Sequence, residues 1–245
     1  MNLLLDALAW LAEPANWTGA GSIPRRTGEH LLLTAGVVLL AAVLAVPAGV
    51  LVGHTGRGRA LVVGLAGSAR AVPTLGLLTL LGLVLGIGLK ASVLALVVLA
   101  VPSLLAGAYA GVESVDRGTV QAARAVGMSE TQIVTGVELP LAAPVIVGGL
   151  RAATLQVVAT ATLAAYIADA GLGRYLFAGL KSRDYTQMLA GAVLVALLAI
   201  VLDLLLAAAQ RAARRLADPQ GRAGGPEPSG RGNGPDGSAG RETGS

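Results

Sequence analysis

Hydrophobic positions in this chain fall in long unbroken runs, not in the narrow stripes of soluble amphipathic helices. A helix that is apolar all round is buried or sits in lipid. About 20 mainly apolar residues cross a hydrocarbon core. Five runs reach that length: residues 31–53, 60–89, 91–112, 144–168 and 187–210. They predict an all-α, polytopic membrane bundle with five transmembrane helices. The second run contains Arg70 and Pro73, the fourth Arg151 and the fifth Asp203. Residues 1–28 precede the first run. Their apolar stretch before Glu13 contains Asp6 and is too short to span. It reads either as an external interfacial helix with Trp10 and Trp17 near the headgroups, or as an ordinary leader. The first basic residue is Arg25, so a secretory n-region is missing. Residues 217–245 turn abruptly to Gly, Pro, Ser, Arg and Glu. Such a tail buries too little apolar surface to offset its ordering entropy and is expected to be disordered.

The polar stretch 113–143 lies between the third and fourth runs, and within it residues 121–140 read QAARAVGMSETQIVTGVELP. Residues 116–126 have helical composition, with Ala122, Ala123 and Ala125 in the body. Gly127 suits a left-handed C-terminal cap. Ser129 with Gln132 three residues later fits a capping box that opens a second short helix. Pro140 is expected to stop it. The segment therefore encodes helix, Gly bend, helix. Its small residues let another protein's surface approach closely.

This stretch closely resembles the EAA loop of ABC importer permeases, whose pattern is E-A-A, three residues, G, nine residues, I-x-L-P. Gln121, Ala122 and Ala123 hold the first three places, Gly127 follows, and Val137, Leu139 and Pro140 close it. The resemblance implies that these residues couple the chain to an ATPase. The family usually has Glu where Gln121 stands, which weakens an ion pair to a neutral hydrogen bond. Residues 69–88 and 149–180 resemble the permeases of osmoprotectant importers, for glycine betaine, choline, carnitine or proline betaine. The likeness covers residues 29–210. Permeases for methionine and polar amino acids share the five-span core and remain the alternative. A secondary transporter would need intramembrane carboxylates or an inverted repeat. Asp203 is the clear intramembrane acid, and a repeat is not visible.

The resemblance implies a bacterial inner-membrane protein with its coupling loop in the cytoplasm, hence N-terminus out and C-terminus in. Charge near the spans does not decide this, because that arrangement puts seven basic residues in the inner loops and at the inner end of the last run against six outside. The implied partners are a pair of cytoplasmic ABC ATPases, an external solute-binding protein, a second permease copy or paralogue, and membrane lipid. The chain itself is expected to be no enzyme and to carry no cofactor, with ATP held by the partner. It lacks G-x-x-x-x-G-K-[ST], a nucleophile elbow and a zinc motif.

Composition sharpens this at a few points. Charged residues are 13%, against about 25% in soluble domains. Cysteine is absent, which removes disulfides and thiolate metal sites. The two histidines, His30 and His54, flank the first run on opposite sides and cannot share a metal. Aromatics are 3%, too few for base-stacking platforms, so a nucleic-acid partner is not expected. Gly82/Gly86 and Gly107/Gly111 are small-xxx-small pairs that permit close helix approach. Pro73 is placed to break the second run. Intramembrane charges mark paths or pairs. With the fourth span starting at Pro144 and the fifth ending at Gln210, Arg151 and Asp203 both fall about 10 Å from the inner face. They are expected to pair; Arg70 is the rival partner for Asp203, and snorkelling of Arg151 the alternative to any pair.

Overall fold

The computed structural model describes residues 2–68 and 71–217. Arg70 and residues 218–245 of the tail lie outside the described residues. The chain opens with α1 (Leu3–Ala12) and a 3-10 turn (Pro14–Trp17). Then come α2 (Ile23–Thr55), α3 (Arg59–Ser68), α4 (Thr74–Leu85) and α5 (Leu89–Glu113). Two short helices, α6 (Arg117–Ala125) and α7 (Glu130–Ile133), lead through a π-helical turn (Val134–Glu138) into α8 (Leu139–Ala168). α9 (Gly173–Ser182) and α10 (Tyr185–Ala217) follow. Strands do not occur among the described residues, so the all-α expectation holds.

Four helical stretches are long and apolar enough to cross a bilayer: α2, α5, Glu130–Ala168 and α10. The second run does not form one rod. It divides into α3 and α4, about 15 and 18 Å long at 1.5 Å per residue, each short of the roughly 30 Å core. Pro73 caps the start of α4 with φ −68. Its ring and missing N–H bar a helix from running through, and its predecessor is pushed toward extended backbone. Other boundaries also move. α2 begins at Ile23, so residue 28 is not a structural boundary. α10 continues to Ala217, beyond the expected end at 210.

α5 is the central helix and packs on α2 and α8. Glycines set those distances. A Cβ on Gly107 would fall 2.7 Å from the Gly149 Cα, and one on Gly53 2.7 Å from the Val112 side chain. A Cβ on Gly111 would fall 2.8 Å from the Ile146 side chain. The second small-residue pair behaves differently: Gly82 lies against Ile167, but Gly86 ends α4 at φ +88 and faces open space. Among the buried side chains of this core are Val37, Leu96, Ala153 and Val157.

The end of the bundle away from the α6–α7 loop is tied by polar contacts. Arg26 donates to the Asp169 carbonyl at 2.9 Å, and the Gly171 N–H donates to Glu29 at 3.1 Å. The Tyr175 hydroxyl donates to the Gly21 carbonyl at 2.6 Å. Trp10 meets the Tyr175 ring edge-on at 5.3 Å, which docks α1 against α9 and α10. Burial pushes the Tyr175 hydroxyl above its ordinary range. At that end His30 is fully buried on α2, and its Nε2–H donates to the Val158 carbonyl at 3.1 Å.

Candidate functional site

The loop between α5 and α8 is built from local signals. The Asp116 carboxylate caps α6 by accepting from the Thr119 N–H at 2.8 Å. At the other end Gly127 adopts φ +87. Its N–H donates to the Arg124 carbonyl at 3.0 Å, and the Met128 N–H donates to the Ala123 carbonyl at 3.2 Å. That pair of bonds is a Schellman motif. The capping box forms in both directions: the Gln132 N–H donates to Ser129 Oγ at 3.4 Å, and the Ser129 N–H donates to Gln132 Oε1 at 2.8 Å.

The second half departs from expectation, because Pro140 does not stop the helix. It occupies the first turn of α8, and the path from Glu130 to Ala168 is continuously helical. A proline inside an α-helix clashes with the carbonyl four residues earlier, here that of Gly136. Gly136 lies in the π-turn, whose looser spacing makes room, and the Leu139 N–H reaches back five residues to the Val134 carbonyl.

The motif residues divide between two tasks. Ala123, Val137 and Leu139 pack with Val120, Ile133 and Ala142 against the ends of α2 and α5, holding the loop on the bundle. Gln121, Ala122, Gly127 and Pro140 are exposed. So is Val126, at 79%, beside Ala125. The result is a small, partly apolar outer face on a rigidly capped bend.

Charged groups knit the loop to the bundle. Arg124 on α6 binds Glu130 through two hydrogen bonds of 2.9 Å. That carboxylate holds the Arg124 guanidinium above its ordinary value. His54, on the last turn of α2, lies between two acids: Nδ1 is 2.7 Å from Glu138 and Nε2 is 3.1 Å from Glu130. Arg59 pairs with Glu113 at 3.0 Å. A cavity of about 270 Å³ opens among His54, Tyr109, Arg117 and Gln121. Sequence reasoning missed the pairing of Glu138 with His54, because His54 lies 84 positions away.

Arg151 and Asp203 meet within the bundle. Arg151 donates through Nε at 2.6 Å and Nη2 at 2.7 Å, a two-pronged pair between α8 and α10. Because α8 starts at Leu139 and α10 ends at Ala217, the pair sits near the middle of both helices. Two turns away Gln210 donates to the Pro144 carbonyl at 3.0 Å, over Gly148, where a Cβ would clash with it. A further polar pair, unforeseen from sequence, joins α5 to α8. Ser103 donates to Gln156 at 2.7 Å, and Gln156 to the Leu99 carbonyl at 3.3 Å. Among the described residues, His, Asp and Glu side chains do not cluster as a metal site.

This geometry can be set beside known proteins. The choline transport system permease protein OpuBB of Bacillus subtilis is 35% identical over 194 residues, covering 79% of this chain and 89% of that protein. The glycine betaine/carnitine/choline permease OpuCB of the same organism is 34% identical over the same shares. The osmoprotectant import permease OsmW of Salmonella typhimurium is 34% identical over 76% of this chain and 89% of its own length. A chain of the MetNI methionine ABC transporter, solved in inward-facing conformations, is similar with TM-score 0.68 and 25% identity, over 78% of this chain and 95% of that one. Residues 15–215 match the binding-protein-dependent transport system inner membrane component family. That match takes in nearly all the described helical structure, and the chain is a multi-pass membrane protein belonging to this family.

Proposed function

We propose that the chain is the permease subunit of an ABC importer for an osmoprotectant such as glycine betaine, choline, carnitine or proline betaine. Helices α2 to α10, from Ile23 to Ala217, form its transmembrane domain, with 113–143 its coupling loop, the residues before α2 an external segment and those after α10 a cytoplasmic tail. The N-terminus is outside and the C-terminus inside. The chain is not itself an enzyme. ATP is bound and hydrolysed by a pair of cytoplasmic ATPase subunits, and an external binding protein delivers the solute. A second permease, identical or paralogous, completes the path. Pro73, at the break between α3 and α4, is the hinge of that path, and Arg70 remains its sequence-based candidate lining residue. Arg151 and Asp203 hold α8 to α10.

The observation that carries the reading is the outer face of α6. Gln121, Ala122 and Val126 are exposed on a bend whose two helix ends are both capped. Exposed apolar surface on a rigid element suits a partner's groove, and a rigid element transmits the partner's motion. An amino-acid permease is the competing reading, favoured by the likeness to the methionine transporter. The higher identity to choline and carnitine permeases favours the osmoprotectant.

The test is Gly127→Val. A Cβ at Gly127 meets nothing within 4 Å, so its whole penalty is the left-handed backbone. That penalty is roughly 1 kcal/mol, more for a β-branched side chain. The variant should insert into the membrane yet lose uptake and release the ATPase from purified complexes. Normal uptake by Gly127→Val would sink the coupling role. Accumulation by the purified chain alone on a proton or sodium gradient would instead favour a secondary transporter.

A further inference from the structure

The π-turn and the histidine at the end of α2 belong together. In an unbroken α-helix, residues eight apart stand about 80° apart around the axis and ~12 Å apart along it. Glu130 and Glu138 have that spacing, yet both reach one imidazole ring. The π-turn between them takes up an extra residue and swings the two carboxylates toward a common face. The ring they reach is fixed. Gly49 and Gly53 bring α2 so close to α5 that an added Cβ would fall 2.7 Å from Ala108 or Val112. His54 is the residue after Gly53, and its side chain is 11% exposed.

The chemistry of the ring follows from its neighbours. A neutral imidazole has one N–H and one lone pair, whereas both nitrogens here face carboxylate oxygens. Both contacts are hydrogen bonds when each holds one proton, on the ring nitrogen or on the facing carboxyl. Glu138 is 4% exposed, and a buried carboxylate needs a partner. Among the described residues its side chain has no other hydrogen-bond partner than His54. Glu130 is more than half exposed and also held by Arg124. The other charged or titratable groups around the ring are Arg59 on α3, Tyr109 and Glu113 on α5, and Arg117 and Arg124 on α6. Arg59 is engaged by Glu113 and Arg124 by Glu130.

We propose that His54 is a positioning residue that clamps the coupling loop to the first span by bridging Glu138 and Glu130. Its contact with the buried Glu138 anchors the π-turn, and its contact with Glu130 holds the loop's N-terminal half, α6 and α7, against α2. That this clamp serves transport rests on the coupling role proposed above.

The experiment uses the full chain in lipid nanodiscs. In His54→Ala, hydrogen-exchange protection over residues 117–133 should fall roughly tenfold, the scale of one hydrogen bond to a charged group, while protection over α9 should not change. His54→Gln, which keeps a polar group in the same place, should restore part of the protection. Unchanged protection over 117–133 in His54→Ala overturns the clamp, and so does an equal loss over α9, which would mark a general loosening of the fold. A local loss in His54→Ala alongside normal ATPase capture by Gly127→Val would uphold the clamp and sink the coupling reading.

Discussion

Replacing Gly107 by alanine tests the packing that holds the bundle together. The added Cβ would fall 2.7 Å from the Gly149 Cα. Carbon atoms are content at about 3.5–4.0 Å, so α5 and α8 must part by about 1 Å. The atom in the way is backbone and cannot rotate aside. Overpacking of this sort typically costs about 1–3 kcal/mol. Alanine offsets part of this, since it is favoured over glycine in a helix interior by roughly 1 kcal/mol. The expected net loss is up to about 2 kcal/mol, or up to about 8 °C in Tm for a chain of this size, and about 1–3 kcal/mol relative to an alanine that gains only the helix preference. Gly36→Ala supplies the control. It lies inside α2, and its Cβ would meet nothing within 4 Å, so only the helix gain remains and Tm should hold or rise. Gly149→Ala approaches the same gap from the other side, 2.8 Å from the Gly107 Cα. Once the helices have parted, the second methyl adds little, so the double variant should lose less than the sum of the singles. Thermal unfolding of all four variants in one detergent reads this directly. A Gly107→Ala protein as stable as Gly36→Ala would refute the close-approach argument, and strict additivity of the two glycines would refute the shared gap.

Two further outcomes are expected. Asp203→Asn should lower the yield of folded protein by leaving Arg151 without its carboxylate, and the charge-swapped double variant should recover part of it; independent effects in that cycle would show that the 2.6 Å contact does not contribute. Tyr175→Phe keeps the ring against Trp10 but removes the hydroxyl bonded to the Gly21 carbonyl. It should destabilise by about 1 kcal/mol, whereas an unchanged Tm would mean that water replaces that bond without loss.

Local features of the loop were legible because each depends on residues within one turn. Asp116, Gly127 and the Ser129–Gln132 pair need only their own neighbours to form a cap, a bend and a box. Hydropathy likewise marks where lipid-facing helices lie, since it follows composition over about 20 residues. The break at Pro73 was legible for the same reason: a missing N–H and a fixed φ act on the residue itself. Pro140 shows the limit of that logic. Its local rule says stop, but a single π-turn ahead of it shifts the carbonyl that would clash, and the helix continues.

Partnerships divide along the same line. The helix carries through from Glu130, so Arg151 falls mid-helix, opposite Asp203. That pairing was legible from sequence because it depends on relative register. Arg151 lies seven residues beyond Pro144, and Asp203 seven before Gln210, and Gln210 in turn bonds Pro144. In antiparallel helices equal steps from a contact lead to the next contact, wherever the ends lie. His54 had no such anchor. Its two acids belong to a helix whose phase the π-turn resets, and α-helical periodicity places those acids apart. A sequence reading that assumes one helical period therefore recovers contacts between regular helices and loses those built on an irregular turn. Here the irregular turn lies in the loop on which the proposed coupling depends.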